Sequence, residues 1–480
     1  TLSISNLNNL GTAGLSFTGN GTLKMTATLD FNRSLSISNG MIATFDTAGV
    51  NSTLSTAITA TTGGIAKMGT GTLTLNGIGS DYSASTQVGA GTLKAGAANT
   101  LSANAAIDIS SGAILDLNNF SHTIANVSGA GDVTLGSGAL TFGGNNGSQS
   151  FSGAISGTGG SLIKTGAGIF TLSGTLSYTS TTQINAGTIQ LAAGNVLSTS
   201  SPVQIDLSGT LDLDGFSQTI PSFIGSGTLN LGAATLTFGS DGSSNAFSGD
   251  ISGIGGQLVK QGTGTFSISG MNTYSGGTNI EGGSVFASGS SSLGTAAVTF
   301  VQTSTLRLST AMTLNVPIAI NPAVTAIIDT NGLHSTLSGN ITGTSGNLTK
   351  IGSGILTLSG TNHYGGQTLL NTGTLQAGST ASLSPLSAIT LSAGTTLDLN
   401  TYSNEVANLS GAGDVALDSA TLTLGGNNGS TTLSGLLSGT GGNLVKNGTG
   451  TLTLQAANTY TGTTDVNGGT LSLPLSSSSL

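Results

Sequence analysis

Three histidines are the residues of this chain best suited to acid–base catalysis, because an imidazole changes its charge near neutral pH. They are His122, His334 and His363. His122 falls where two similar segments of the chain carry Gln218 and Asn404, which predicts a freely varied surface position. No histidine has an acid and a serine arranged around it in a way that breaks the repeat described below. A catalytic histidine is therefore not predicted.

Carboxylates could bind a cation or hydrolyse a glycosidic bond. Asp132 and Asp414 stand in G-A-G-D-V, which superficially resembles a calcium-binding turn, but the middle copy has Thr228 and no G-G-x-G-x-D tandem follows. We predict no metal site and no cofactor. A glycosidase pair stays open, because residues about 24 apart, such as Asp108 and Asp132, would lie on adjacent coils of a solenoid.

A second group of aspartates lies between apolar residues in L-D-L. These are Asp116, Asp212 and Asp398. In a strand, a residue between two inward-facing neighbours points outward. We expect solvated carboxylates on an outer face.

Five lysines could form a binding stripe, but they recur 90 to 97 residues apart. Four coils of a solenoid separate neighbouring lysines by about 19 Å, too far for one contiguous site. The lysines are separated from the flanking apolar residues by even numbers of positions, so in a regular strand they would point inward with those residues. We expect a bend at K-x-G to turn them out, and we expect the tyrosines that follow to be corner residues packing over glycine.

These lysines, tyrosines and glycines mark a repeat and are predicted to be structural. Each lysine is followed after 14 or 15 residues by a tyrosine, and nine residues later by a glycine. The markers are Lys67, Lys164, Lys260, Lys350, Lys446, Tyr82, Tyr178, Tyr274, Tyr364, Tyr460, Gly91, Gly187, Gly283, Gly373 and Gly469. Marker aspartates precede each lysine by 21 or 48 residues and follow it by 48, 49 or 69. Such quantised insertions are typical of a solenoid, in which a repeat contacts only its neighbours.

Between the markers, apolar and small polar residues alternate, as in Leu2 and Ile4 or Leu35 and Ile37. Period two predicts strands, and clusters of Gly, Asn and Ser predict turns. Helical patterns of ten residues are missing. The sequence predicts an all-β parallel β-helix, a β-solenoid of about twenty coils of roughly 24 residues. With no shift in composition, residues 1–480 are predicted to form a single continuous solenoid.

Composition narrows the function classes. The chain has 9 basic and 18 acidic residues in 480, and the basic residues are scattered singly, which argues against a nucleic-acid partner. Cysteine is missing, and no apolar run is long enough for a membrane-spanning segment. The chain starts TLSISN, without Met or a signal peptide, and is expected to be a mature or excised segment.

The pattern L-x-K-x-G-x-G-x-[LF]-x-[LI]-S-G, then N-T-Y-S-G-x-T and G-[TS]-[LV], resembles the autotransporter-associated β-strand repeat of passenger domains in type V secreted, Gram-negative surface proteins. The match is strong around Lys260 and Lys446 and weaker around Lys67, where SDYSAST replaces NTYSGGT. The motif copies lie near residues 65–94, 162–190, 258–286, 348–376 and 444–472.

The resemblance implies a right-handed β-helix on the bacterial cell surface or secreted from it. It also implies a longer precursor with a C-terminal translocator barrel, which the ending LSLPLSSSSL does not resemble. We expect a non-enzymatic passenger rod that acts in adhesion or as a spacer and contacts a host cell, the matrix or itself. The alternative is a filament subunit, since Leu2 to Leu7 reads as an ordinary strand and only Pro474 hints at a stop. A β-helical polysaccharide enzyme is the less favoured class.

Overall fold

The alternating residues form short strands in a computed structural model of the chain, which describes residues 1–474. Residues 475–480, the end of LSLPLSSSSL, lie outside the described residues. The chain divides into two compact units, Thr1–Phe238 (unit 1) and Gly239–Leu480 (unit 2). The prediction that residues 1–480 form one continuous solenoid stays a prediction.

Unit 1 contains a short 3-10 helix, Leu7–Leu10, and otherwise strands. Its strands are Leu2–Ile4, Leu15–Phe17, Gly21–Met25, Asp30–Phe31, Leu35–Ile37, Ile42–Asp46, Ser52–Leu54, Ile58–Thr59, Gly64–Met68, Thr72–Leu75, Thr86–Val88, Thr92–Ala95, Ala106–Ile109, Ile114–Asp116, His122–Thr123, Asn126–Gly129, Asp132–Thr134, Ala139–Phe142, Gln149–Phe151, Ile155–Ser156, Ser161–Lys164, Ile169–Leu172, Thr182–Leu191, Val203–Asp212, Gln218–Thr219, Phe223–Gly225, Thr228–Asn230 and Thr235–Phe238.

Unit 2 is built in the same way from strands of two to five residues. They are Asn245–Phe247, Asp250–Ser252, Gln257–Lys260, Thr265–Ile268, Gly277–Ile280, Ser284–Ala287, Val298–Phe300, Ser304–Leu308, Thr313–Leu314, Ile318–Ile320, Thr325–Asp329, Ser335–Leu337, Ile341–Gly343, Asn347–Ile351, Ile355–Leu358, His363–Tyr364, Thr368–Leu370, Thr374–Ala377, Ala388–Leu391, Thr396–Asp398, Asn404–Val406, Asn408–Gly411, Asp414–Ala416, Thr421–Leu424, Thr431–Leu433, Leu437–Ser438, Asn443–Lys446, Thr451–Leu454, Thr464–Val466 and Thr470–Ser472.

Strands pair in parallel with the equivalent strand of the next coil, which confirms the predicted right-handed parallel β-helix. Leu162 pairs with Thr182, and Ile42 pairs with Gly64, so a coil spans 20 and 22 residues at these places. The expected coil of 24 residues was therefore too long. Residues 1–474 make about 22 turns.

Like residues stack on successive coils to form the core. One column in unit 1 runs through Leu73, Leu93, Leu115, Val133 and Ile155, all buried. Burying one such side chain contributes about 2 kcal/mol. Because each coil is sealed by the coils above and below it, the column stabilises the stack and not the single coil.

The quantised insertion is visible in unit 2. Phe286 pairs with Arg307, and Arg307 pairs with Asp329. In unit 1, by contrast, Gln190 pairs directly with Asp212. The 69-residue spacing after Lys260 therefore contains one extra coil, with the pairing register kept on both sides of it.

Candidate functional site

The marker lysines lie at the last or next-to-last position of their strands and point into the core. Their side chains are 0 to 2% exposed. Lys164 pairs with Phe142 on one side and Ile184 on the other, so its aliphatic stem continues an apolar column. The expectation that a bend would turn the lysines outward is wrong, because the strand alternation runs through the lysine and the chain turns only after it.

Each buried ammonium is bound by backbone carbonyls. Lys67 Nζ donates to the carbonyls of Met68 (3.0 Å), Gly69 (2.7 Å) and Ala90 (2.8 Å). The other four lysines repeat this arrangement, with carbonyls at +1, +2 and +22 and distances from 2.6 to 3.5 Å. An ammonium has three donors, and three carbonyl acceptors satisfy them. We call this arrangement the lysine cage.

The cage brings the lysine and the marker glycine of one repeat together. The third carbonyl belongs to the residue directly before that glycine, as Gly282 precedes Gly283. The marker glycines adopt φ between +64° and +73°. A Cβ on Gly283 would lie 2.3 Å from the carbonyl oxygen of Gly264 in the neighbouring coil. Glycine is therefore required both by the left-handed backbone and by the close approach of the coils.

Burial changes the acidity of the caged lysines. It lowers the pKa of Lys67 to about 8, and the carboxylate of Asp46 opposes the shift. It likewise lowers the pKa of Lys350 to about 8, opposed by Asp329. A neutral amine at that pH could act as a nucleophile or a base, but substrate cannot reach a side chain sealed between two coils.

The marker tyrosines form a second buried contact in the same repeats. The hydroxyl of Tyr178 lies 2.7 Å from Oγ1 of Thr182, and Ser198 Oγ donates to the Tyr178 carbonyl at 2.8 Å. Burial raises the pKa of Tyr364 to about 12. Tyr82, Tyr178, Tyr274 and Tyr364 are at most 1% exposed. Tyr460 keeps the hydroxyl pair with Thr464 at 2.6 Å and is partly exposed. The fully buried phenols are thus not available to substrate.

The marker aspartates close a corner. Asp116, Asp212 and Asp398 lie on the outer face as predicted, but each is partly buried. One oxygen accepts the amide hydrogen two residues on, as Asp116 does from Asn118 at 2.8 Å. The other meets a donor on the preceding coil, which is Lys94, Gln190 or Gln376 respectively. These carboxylates therefore position the chain across coils and are not merely solvated.

His122 is buried, which contradicts the expected surface position. Its side chain is 3% exposed, and the corresponding Gln218 and Asn404 are also buried. His334 accepts a hydrogen bond from the amide of Ile355, and His363 is exposed. The sequence analysis missed that this position is an inward polar residue. Alternate residues of a strand face the same side, so the apolar Ile124, two residues after His122, could have indicated that His122 also faces inward.

A further group that the sequence analysis missed is the asparagine before the tyrosine. Asn272 Oδ1 accepts the amide hydrogen of Ile251 at 2.8 Å, and its Nδ2 donates to the carbonyls of Ser269 and Ser292. Asn362 repeats two of these bonds. Like the lysines, these amides bind backbone groups and stabilise a corner.

Asp108 and Asp132, the pair left open for glycosidase chemistry, lie on different sheets. Asp108 pairs in register with Ser128, whereas Asp132 pairs with Ile114 on another sheet, so the two carboxylates are not register partners. Asp132 and Asp414 each accept a backbone amide hydrogen from the next coil. Over residues 1–474, no group of three His, Asp or Glu side chains is arranged to hold a metal ion. In the same range, no helix is long and apolar enough to cross a membrane.

Five segments of the chain match the family model of the passenger-associated-transport repeat. The matched residues are 65–95, 162–191, 258–285, 348–377 and 444–473, each of which contains one lysine cage. The chain is also similar to the adhesin BmaC autotransporter of Brucella suis biovar 1 (strain 1330), with 33% identity over 446 residues. This alignment covers 85% of the chain and 13% of the relative. No solved structure gives a significant match.

Proposed function

Because the chain carries the repeats of the autotransporter passenger family, we propose that it is a segment of a β-helical passenger that acts in adhesion and has no enzymatic activity. The repeat family implies an extracellular or cell-surface location, as predicted. The relative named as an adhesin supports the adhesive role.

The observation that carries this proposal is the burial of the marker residues. All five lysines and four of the five tyrosines are enclosed between coils and bind backbone or hydroxyl groups of the chain itself. The recurring lysines and tyrosines therefore stabilise the solenoid. We assign contact with a partner to those outward residues that differ from one repeat to the next.

In unit 2, two outward residues are apolar where some of their counterparts are threonine, although the first repeat has Ile78 at the position of Met271. Ile254 is 91% exposed where two other copies of the turn have Thr158 and Thr440. Met271 is 74% exposed where the fourth repeat has Thr361. Met271 also borders an open groove of about 350 Å³ whose lining includes Ser290, Ser291, Thr295 and Asn315. A groove that combines an exposed apolar side chain with hydroxyl and amide groups would offer a partner both apolar contact and hydrogen bonds.

Adhesion of coated beads tests this function. Beads carrying the purified chain should bind cultured host cells or immobilised extracellular matrix, and the double variant Ile254→Thr, Met271→Thr should lose most of that binding. Ile78→Thr is the matched control, because Ile78 is exposed and follows Lys67 by the same 11 residues as Met271 follows Lys260.

Three results would change the proposal. Unaltered binding by the double variant, with an unchanged thermal melt, would remove this surface from adhesion. Failure of the wild-type chain to bind either target would remove the adhesive role. Aggregation of coated beads with one another would instead favour the filament alternative.

A further inference from the structure

One corner of unit 1 lacks a bracket of hydrogen bonds that closes the corresponding corner later in the same unit. The complete bracket is formed by Gln218. Its Oε1 accepts the amide hydrogens of Val196 (3.0 Å) and Leu197 (3.2 Å), and its Nε2 donates to the carbonyls of Ala193 (3.0 Å) and Phe216 (3.2 Å). The side chain amide thus ties a turn of one coil to a strand of the next.

Asn404 forms the same bracket in unit 2. Its Oδ1 accepts the amide hydrogen of Leu383 at 3.0 Å, and its Nδ2 donates to the carbonyls of Ser379 and Tyr402, both at 3.0 Å. Gln218 and Asn404 each follow a marker aspartate by six residues. The bracket is therefore a recurring element of the corner.

His122 occupies this position after Asp116. It is 3% exposed, and within residues 1–474 neither ring nitrogen forms a hydrogen bond of ordinary geometry, although the ring interacts with the carbonyl of Ala97. A neutral imidazole has one donor and one acceptor, so it cannot replace an amide that accepts and donates twice. The turn at 97–102 is consequently held to strand His122–Thr123 by packing and by the contact of the ring with the Ala97 carbonyl, where the other two corners have three or four hydrogen bonds.

We propose that the His122 corner is an acid-sensitive latch, in which protonation of the buried imidazole releases residues 97–124 of unit 1 while the corners at Gln218 and Asn404 stay closed. An imidazolium at this position would be a buried charge without a counter-ion. Releasing the turn lets the ring reach water.

The surroundings of His122 contain no carboxylate to compensate the charge. Apart from His122 itself, the segments 97–102, 117–125 and 139–142 contain no titratable residue. On the adjoining strands, Asp116 is paired with Lys94, and Lys164 is enclosed in its cage. Tyr82 is buried and bonded to Thr86.

The sign of the effect follows from linkage. Burial lowers the pKa of His122, and the carbonyl of Ala97 only partly opposes the shift. The open corner therefore binds a proton at a higher pH than the closed corner does. Acidification through the ordinary histidine range favours opening, and the effect is lost above that range.

Amide hydrogen exchange of the full chain tests the latch, at about pH 7.5 and about pH 5, with labelling times corrected for the intrinsic rate. Peptides covering 97–124 should lose protection at the lower pH, by about tenfold for each unit by which folding lowers the pKa. Peptides covering 193–220 and 379–406 serve as internal controls and should keep their protection ratio.

Two substitutions should transfer the acid-induced hydrogen exchange from the His122 corner to the Gln218 corner. His122→Gln should abolish the acid-induced exchange at 97–124. Gln218→His should create acid-induced exchange at 193–220. Equal acid-induced exchange in all three corners of the wild type, or a pH dependence at 97–124 that survives in His122→Gln, would overturn the proposal.

Discussion

The second and third repeats differ in the number of coils between the marker lysine and the next marker aspartate. In unit 1, the outward Gln190 bonds directly to Asp212 on the next coil at 3.2 Å. In unit 2, the equivalent Phe286 is separated from Asp329 by a coil that carries Arg307. The arginine stacks over the Phe286 ring at 4.7 Å and lies 3.3 Å from Asp329, so one side chain connects both neighbours.

The lysine cages at the start of these two repeats are the same. Lys164 and Lys260 each bind three carbonyls at equivalent positions. The comparison teaches that the corner is constant while the number of coils between corners is adjustable. The unit of adjustment is a whole coil, because only a whole coil restores both the pairing register and the inward parity.

The largest effect on folding is expected from deletions in unit 2. Removing residues 287–307 takes out one coil by register, since Phe286 pairs with Arg307 and Arg307 with Asp329. We expect this variant to fold, with Phe286 now facing Asp329. Removing 287–297 deletes about half a coil and should abolish folding of unit 2, because apolar residues lose their inward positions. Circular dichroism and thermal melts distinguish the two, and equal behaviour would break the whole-coil rule.

The second largest loss of stability is expected from replacing a glycine in the corner that follows a marker lysine. We expect Gly264→Val to destabilise unit 2 by more than about 4 kcal/mol. The reason is that a Cβ would lie 2.0 Å from the backbone oxygen of Ser243 in the adjacent coil. Thermal melts should show a larger loss than for Lys260→Ala. If the lysine change is the costlier one, close approach of the coils is not what limits the corner.

Removing the ammonium should cost less and should cost the same in both repeats. Lys164→Met and Lys260→Met keep the aliphatic stem and leave three carbonyls without their donor, for an expected loss of about 3 kcal/mol each. Lys94→Met is the control, because its ammonium forms a partly exposed ion pair with Asp116. Denaturant titration measures the losses, and clearly unequal values for the two cage variants would show that the corners are not equivalent.

The most gradual effect is the pH dependence of the cages, because it is spread over about two pH units. Because burial lowers the pKa of Lys67 and Lys350 to about 8, the unfolded lysines keep their protons to a higher pH than the folded ones. Stability should therefore rise between about pH 8 and about pH 10, by at most about 1.4 kcal/mol per pH unit for each lysine. Denaturation midpoints of the wild type and of Lys67→Met, Lys350→Met measure this. A denaturation midpoint of the wild type that falls between about pH 8 and about pH 10 would contradict the expected rise in stability.

The sequence predicted the fold from two simple signals. Alternation identified the strands, and the spacing of lysines and aspartates identified whole-coil insertions such as the one carrying Arg307. Both signals are local or periodic, and a solenoid consists mainly of contacts between like positions of neighbouring coils. Coil length was overestimated because the lysine and aspartate markers occupy different positions around the coil. Lys164 pairs with Ile184 and Ile184 with Ile205, so the spacing from Lys164 to Asp212 is two coils plus part of a third.

The corners were less predictable, because their stability depends on backbone acceptors that no side chain pattern encodes. Lys260 alternates in step with the inward apolar residues, but a bend at K-x-G was expected to turn it outward. Only the structure shows the carbonyls of Gln261, Gly262 and Gly282 converging on Nζ. His122 was misplaced for the same reason, since polar residues at its position were taken as a sign of exposure.

The placement of the basic residues has a consequence for digestion by trypsin-like proteases, which cleave after lysine or arginine. Such an enzyme must bind the backbone around its target in an extended and accessible form. Eight of the nine basic residues lie within strands that are paired to neighbouring coils, and five of them are enclosed. Arg33 alone lies in a bend, between strands Asp30–Phe31 and Leu35–Ile37. Even Arg33 is half-buried, and its carbonyl accepts a hydrogen bond from Thr56 Oγ1, so we expect residues 1–474 of the folded chain to resist such proteases.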